Sequence, residues 1–171
     1  GVTDQDQKIA DAIERKGKAC VLAVNKWDLV EKDDKTADDF IAMVRERISW
    51  LQFAPVLLIS ALTGSHVQRL PQLLVRVHEN YRRSIATSVI NRIVHDAVGM
   101  HHPPSYKGRP VRIFYLTQTR TAPPEITGFT NIPEGIERPY ERYLENRLRQ
   151  AVELEGTPLR WRWRARDPHR D

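Results

Sequence analysis

One cysteine stands among 171 residues, so no disulfide can close within the chain, and a reducing compartment is the expected setting. No apolar run approaches the ~20 residues that span a bilayer, so no membrane partner is expected and the cytoplasm is the expected location. A G-x-x-x-x-G-K-[ST] run is missing everywhere, and residues 1–84 contain no D-x-x-G. The backbone cradle for a polyphosphate and the hydroxyl that would hold magnesium are therefore absent from the sequence. Two glycines spaced G-x-x-G, which clamp single-stranded RNA in one widespread fold, are absent too. Metal-ligand spacing is not found: His101 and His102 beside Pro103-Pro104 read as loop residues, and His66 and His78, read within a helix, are assigned no chemistry.

Hydrophobic residues make up 40% of the chain, compatible with a folded core. The net charge of +5 is unevenly shared: residues 1–84 carry 13 Lys and Arg against 12 Asp and Glu, whereas residues 85–171 carry 14 against 10. Lys107 is the only lysine of the second group. Arginine stacks on bases and forks onto phosphates, so this choice suits nucleic acid, although a basic surface that binds nothing accounts for the charge equally well. Cys20 lies in an apolar strand pattern without electropositive neighbours and reads as a structural thiol.

Two apolar runs end in polar motifs. Ala19 to Val24 leads into Asn25-Lys26-Trp27-Asp28, and Pro55 to Ile59 leads into Ser60-Ala61-Leu62. Between them Phe40, Ile41, Val44, Ile48 and Leu51 recur at helical spacing over Thr36–Leu51, with Thr36 and Asp39 placed as a capping box. Strand, motif, helix, strand, motif puts both polar segments at the carboxyl ends of strands, where open α/β sheets bind ligands. Guanine presents two donors on one edge, its ring N1–H and exocyclic amine, and one ionised carboxylate accepts both. Asp28 is placed to make that choice. The aliphatic stem of Lys26 would cover a face of the base, Asn25 would tie the loop or reach N7, and the Ala61 N–H would donate to O6. Trp27 reads as packing.

After Ser60-Ala61-Leu62, Ser65 and Gln68 offer a further capping box before an amphipathic helix ending near Arg83. Then follow a helix over Val89–Val98, a strand over Val111–Gln118, a strand over Glu125–Asn131 weakened by Gly128, a helix from Arg138 to Val152 and a strand over Leu159–Arg166. In the last strand Arg160, Arg162, Arg164 and Arg166 alternate with Trp161, Trp163 and Ala165. Its tryptophans should face the core and its arginines solvent or RNA. The plain alternative pairs those arginines with Glu141, Glu145 or Glu153.

The two polar motifs resemble the N-K-x-D and S-A-x motifs of P-loop GTPases. Nearly the whole chain resembles the carboxyl-terminal part of the EngA (Der) family, through Gly1-Val2-Thr3-Asp4-Gln5-Asp6, Asn25 to Val30, Ser60 to Gly64, Pro103-Pro104, Lys107-Gly108, Arg142 to Asn146 and Glu155-Gly156-Thr157-Pro158. The resemblance implies an α/β chain: residues 1–84 as the second half of a P-loop GTPase domain with a doubly wound sheet, and residues 85–171 as a small α+β KH-like domain of order helix-strand-strand-helix-strand. It further implies a GTP-binding protein of large (50S) ribosomal subunit assembly whose KH-like domain contacts rRNA, with GTP or GDP as ligand and Mg2+ held only through the missing half. Guanine-binding residues would be Asn25, Lys26, Asp28, Ser60, Ala61 and Leu62; no catalytic residue is assigned. The chain alone should bind GTP weakly and not hydrolyse it. Other expected partners are the missing amino-terminal GTPase domains or, through a bared apolar strand edge at Ala19–Val24, a second copy of the chain. The alternative is an RNA-binding module without nucleotide function.

Overall fold

The computed structural model describes residues 2–31 and 36–166. It divides into two compact units, Gly1–Tyr81 with Leu154–Pro158, and Arg82–Glu153 with Leu159–Asp171. The sequence reading kept residues 85–171 together; Leu154–Pro158 instead packs within the first unit.

In the first unit, helix α1 (Asp4–Lys16) opens on a reciprocal cap. Thr3 Oγ1 accepts the Asp6 N–H, and the Thr3 N–H donates to the Asp6 carboxylate at 2.9 Å. The Thr3 hydroxyl, donating to the same carboxylate at 2.7 Å, and then the Thr3 N–H favour the ionised form and hold the Asp6 carboxyl below its usual range. Gly17, at φ 62°, ends the helix in the left-handed conformation that glycine adopts without steric cost. Strand β1 (Leu22–Val24) pairs in parallel with β2 (Val56–Leu58), with Val24 opposite Leu58. β1 is shorter than the apolar run because the Cys20 N–H donates to Gly156 O rather than to a strand.

Helix α2 (Thr36–Arg47) joins them; Thr36, expected as its cap, is instead its first residue, and the residue before it lies outside the described residues. The apolar spacing continued to Leu51, but Ile48 leaves helical geometry at φ −124° and a 3-10 turn, Ser49–Leu51, follows. This exit lets Ile48 and Leu51 join Ala10 and Ala54 in a buried cluster. Helix α3 (Leu70–Tyr81) starts behind a 3-10 turn, Val67–Arg69, and the expected Ser65–Gln68 cap does not form. His66 takes the position before that turn at φ 59°, with no side-chain cap.

Leu154–Pro158 completes this unit through polar contacts that apolar periodicity does not register. Besides meeting Cys20, Gly156 donates its N–H to Phe53 O at 2.7 Å. The buried Asn80 side chain donates to Glu155 O at 3.1 Å, and Arg76 pairs with the Glu155 carboxylate at 2.8 Å.

The second unit has the expected order: α4 (Thr87–Met100), β3 (Ile113–Arg120), β4 (Glu125–Thr130), α5 (Arg138–Ala151) and β5 (Arg160–Ala165). Its sheet runs β3-β4-β5, antiparallel between the first two and parallel between the last two, so α5 serves as the crossover. Helices α4 and α5 pack on each other over one face, burying Ile90, Leu116, Ile126, Leu144 and Leu148. A D-x-x-G spelling does occur at Asp96–Gly99, but it lies inside α4 and forms no loop.

Gly156 combines a φ of +74° with the Val77 side chain lying where its Cβ would stand. Gly156→Ala should therefore lower the urea-unfolding stability by about 1–3 kcal/mol through overpacking, on top of the backbone strain. Gly64→Ala, at φ +76° in open space, should cost only about 1 kcal/mol. Equal losses for the two would remove the steric role of Val77.

Candidate functional site

Parallel pairing of β1 and β2 brings the two polar motifs side by side. Beyond the paired residues the Ile59 N–H donates to Val24 O at 2.8 Å and the Trp27 N–H to Ile59 O at 3.0 Å. These bonds carry the ladder into the loops. Asn25 then locks it: its Oδ1 accepts the Lys26 N–H at 2.8 Å and the Ala61 N–H at 2.9 Å, joining segments 36 residues apart.

Of the two roles left open for Asn25, loop tying is the one this geometry displays. It also revises the reading of Ala61, whose N–H is already bonded to Asn25. A guanine O6 would receive that N–H only by exchanging with the Asn25 oxygen.

Trp27 is buried and meets Phe40 of α2 edge-on at 5.4 Å. Its anchoring forces the turn around it: Lys26 stands at φ 65°, uncommon for a residue with a Cβ, and a 3-10 turn, Trp27–Leu29, follows. Asp28 lies in that turn. Its Oδ1 is buried and has no hydrogen-bond partner among the described residues. A buried acceptor without a donor costs on the order of 1–3 kcal/mol, and a ligand with paired N–H groups would relieve that cost.

Ser60 is fully buried and shapes the facing loop. Its N–H donates to Ser65 O, and its Oγ accepts the Thr63 N–H at 3.2 Å. Leu62 is 87% exposed at the tip and Leu29 is 74% exposed on the other loop. Sequence reading passed over His66, which is in a left-handed turn rather than a helix. Its Nδ1 lies 2.9 Å from Leu58 O; a carbonyl only accepts, so Nδ1 carries the proton and closes the back of the Ser60–Ser65 loop. The signal available in sequence was Gly64-Ser65-His66, a turn cluster placed before the helix.

Other candidates resolve into structural roles. Burial pushes the Cys20 thiol up to about 11, so it stays protonated and inert at neutral pH. The carbonyl of His101 accepts the Tyr140 hydroxyl at 2.7 Å, and its ring meets Tyr143 edge-on at 5.2 Å. Burial and the neighbouring Tyr143 raise Tyr140 to about 12. No cluster of metal-ligating side chains occurs among the described residues, and no helix there is long and apolar enough to cross a membrane.

The alternating strand β5 is paired with β4, Thr127 opposite Arg162 and Phe129 opposite Arg164. Trp161 and Trp163 turn to the helix side, half-buried rather than fully in the core, and their indole N–H groups donate to Glu145 at 3.3 Å and Glu141 at 3.0 Å. Those carboxylates also serve Arg149 and Arg138 of α5. Within the arginine face, Arg162 pairs with Glu125 on β4 at 3.0 Å. Arg162, Arg164 and Arg166 are exposed and Arg160 is partly so.

Residues 83–164 match a family model described as the KH-domain-like, C-terminal part of EngA bacterial GTPase enzymes. A protein named GTPase Der from Moorella thermoacetica is 49% identical over 160 residues, covering 94% of this chain and 36% of that protein. GTPase Der of a Synechococcus species is 44% identical over 167 residues, covering 97% and 37%. That of Trichlorobacter lovleyi is 41% identical over 167 residues, covering 98% and 37%. The chain thus spans rather more than a third of the length of these relatives.

Asn25→Ala should free the Lys26 and Ala61 amides and cost about 1 kcal/mol or more of stability. Hydrogen exchange should quicken at Ala61 while the Val56–Leu58 ladder stays protected; unchanged exchange at Ala61 would show that the amide side chain does not hold the loops.

Proposed function

We propose, for a chain that belongs to the EngA (Der) family, that residues 1–84 are the guanine-reading half of a P-loop GTPase domain and that the second unit contacts rRNA. The observation that carries the nucleotide reading is the buried Asp28 Oδ1, without a hydrogen-bond partner among the described residues, beside two loops pinned together by Asn25. A carboxylate accepts from both N1–H and the exocyclic amine of guanine, whereas adenine presents a ring acceptor at that edge. Lys26 would lay its stem along the base, and the Ala61 N–H, released by Asn25, would turn to O6. The released Asn25 side chain can then reach N7. Ser60 and Leu62 shape the opposite wall.

When bound, GTP supplies the phosphoryl group whose hydrolysis switches the whole protein. No residue of this sequence is assigned to that step, because phosphoryl transfer depends on charge and positioning around the phosphates and on Mg2+. Those contacts fall to sequence outside this chain. This chain contributes base identity and loop order.

For the second unit the support is the arginine row of β5. The Arg162 guanidinium is 57% exposed although its partner Glu125 is only 12% exposed, so a phosphate oxygen can meet the open side of Arg162 while the carboxylate stays in place. The place of action we infer is the large ribosomal subunit during its assembly, in the cytoplasm. The second reading, an RNA-binding module without nucleotide function, is favoured only by the Ala61 N–H being already satisfied.

In the whole protein, Asp28→Asn should shift preference from guanine to xanthine nucleotides by about tenfold or more, the amide no longer accepting two donors. Unaltered guanine selectivity would remove Asp28 from the site. In this chain, replacing Arg160, Arg162 and Arg164 by Gln should weaken RNA binding and flatten the slope of log affinity against log salt by about 0.7 per lost phosphate contact. An unchanged slope would place the RNA elsewhere.

A further inference from the structure

The face of the β3-β4-β5 sheet opposite α4 and α5 carries more than arginine. Tyr115 of β3 and Phe129 of β4 are cross-strand partners. Their rings stack with centroids 4.4 Å apart and planes 14° from parallel. The Arg166 guanidinium lies over the Tyr115 ring at 5.2 Å, and Arg164 is the register partner of Phe129 on the far side. Thr119 and Thr127 follow along the same face, their hydroxyls 3.0 Å apart, with Glu125 and Arg162 beyond them. Strand alternation separates this set from Ile126, Gly128 and Thr130, which face the helices.

We propose that this face binds single-stranded RNA, with unpaired bases stacking against the Tyr115–Phe129 pair and the flanking phosphates meeting Arg162, Arg164 and Arg166. The proposal rests on the RNA-binding reading of the second unit and names its site and substrate class. Two features select a single strand over a duplex. Aromatic faces stack with bases only when those bases are unpaired, and the cations border the rings on the β5 side, where the backbone of a stacked strand would run. Charge complementarity sets the occupant: among the described residues of β3, β4 and β5 the one carboxylate is Glu125, against Arg160, Arg162 and Arg164 with Arg166 just beyond. The partly exposed rings suit a ligand that supplies π-faces as well as negative charge. The exposed Thr119 beside them offers a neutral hydroxyl without base preference, so weak sequence selectivity is expected.

The test is anisotropy titration of the full chain with fluorescein-labelled oligoadenylate of about twelve nucleotides, a length within the footprint of such stacking surfaces, and with the same strand annealed to oligouridylate. Tyr115→Leu and Phe129→Leu should each weaken single-strand binding about tenfold, leave duplex binding unchanged and leave the salt slope intact. Phe129→Tyr, which keeps the ring, should retain affinity. Should the leucine variants fold poorly by circular dichroism, ultraviolet crosslinking of wild-type chain to 5-iodouridine-substituted strand decides: adducts at Tyr115 or Phe129 support the platform, and adducts confined to other peptides overturn it. Leucine variants that bind single strand like wild type, or lose both RNAs equally, overturn the platform while leaving RNA binding itself in place. A wild-type chain that binds neither RNA defeats the RNA-binding reading, and the platform with it.

Discussion

A single side-chain oxygen holds the two strand-end loops of the first unit together. Asn25 Oδ1 accepts the backbone N–H of the adjacent Lys26 and that of Ala61, 36 residues on from Asn25, and it can do so because β1 and β2 run in parallel register and release their loops at the same level. Everything proposed for base recognition follows from that juxtaposition. Trp27 fixes the depth of one loop and Ser60 the curl of the other, and Asp28 is left with a buried oxygen that the described residues do not satisfy. The arrangement resembles a latch: the bond that orders the loops is also the bond a guanine carbonyl would have to exchange.

The second unit is organised around β4, paired on both edges. Its two faces do different work because alternation is strict. Toward the helices Gly128 leaves room for the Trp163 ring, which a Cβ would strike, and the indole N–H groups are satisfied by α5 carboxylates. Charged side chains therefore align on the other face. The parallel pairing of β4 with β5 places Phe129 next to Arg164 and Thr127 next to Arg162, so stacking surface and cation share one plane.

Much of this was legible in sequence. The five elements of the second unit could be read from periods of 3.6 and 2 with Pro and Gly as punctuation, and the two polar motifs stood out at strand ends. What escaped was set by single polar contacts. Gly128 read as a weakness in a strand, yet it is the seat of a tryptophan on another strand 35 residues later. Glu141 and Glu145 read as partners for the arginines of β5, whereas their register on α5 brings them to the indole nitrogens and to Arg138 and Arg149 of their own helix. Leu154–Pro158 carries no periodicity at all, and its place in the first unit depends on backbone bonds to Cys20 and Phe53 and on Asn80, a buried amide within an otherwise apolar helix face. The occupied Ala61 N–H could not be foreseen, since a motif names the residues but not which of two acceptors an amide chooses.

Backbone-amide NMR of the chain titrated with GDP and, separately, ADP tests guanine recognition most directly. Recognition through Asp28 predicts that GDP moves the Asp28 and Ala61 resonances, the latter as its N–H passes from Asn25 to the base, while ADP leaves them in place. Equal shifts with the two nucleotides, or GDP shifts that spare Asp28 and Ala61, would contradict it.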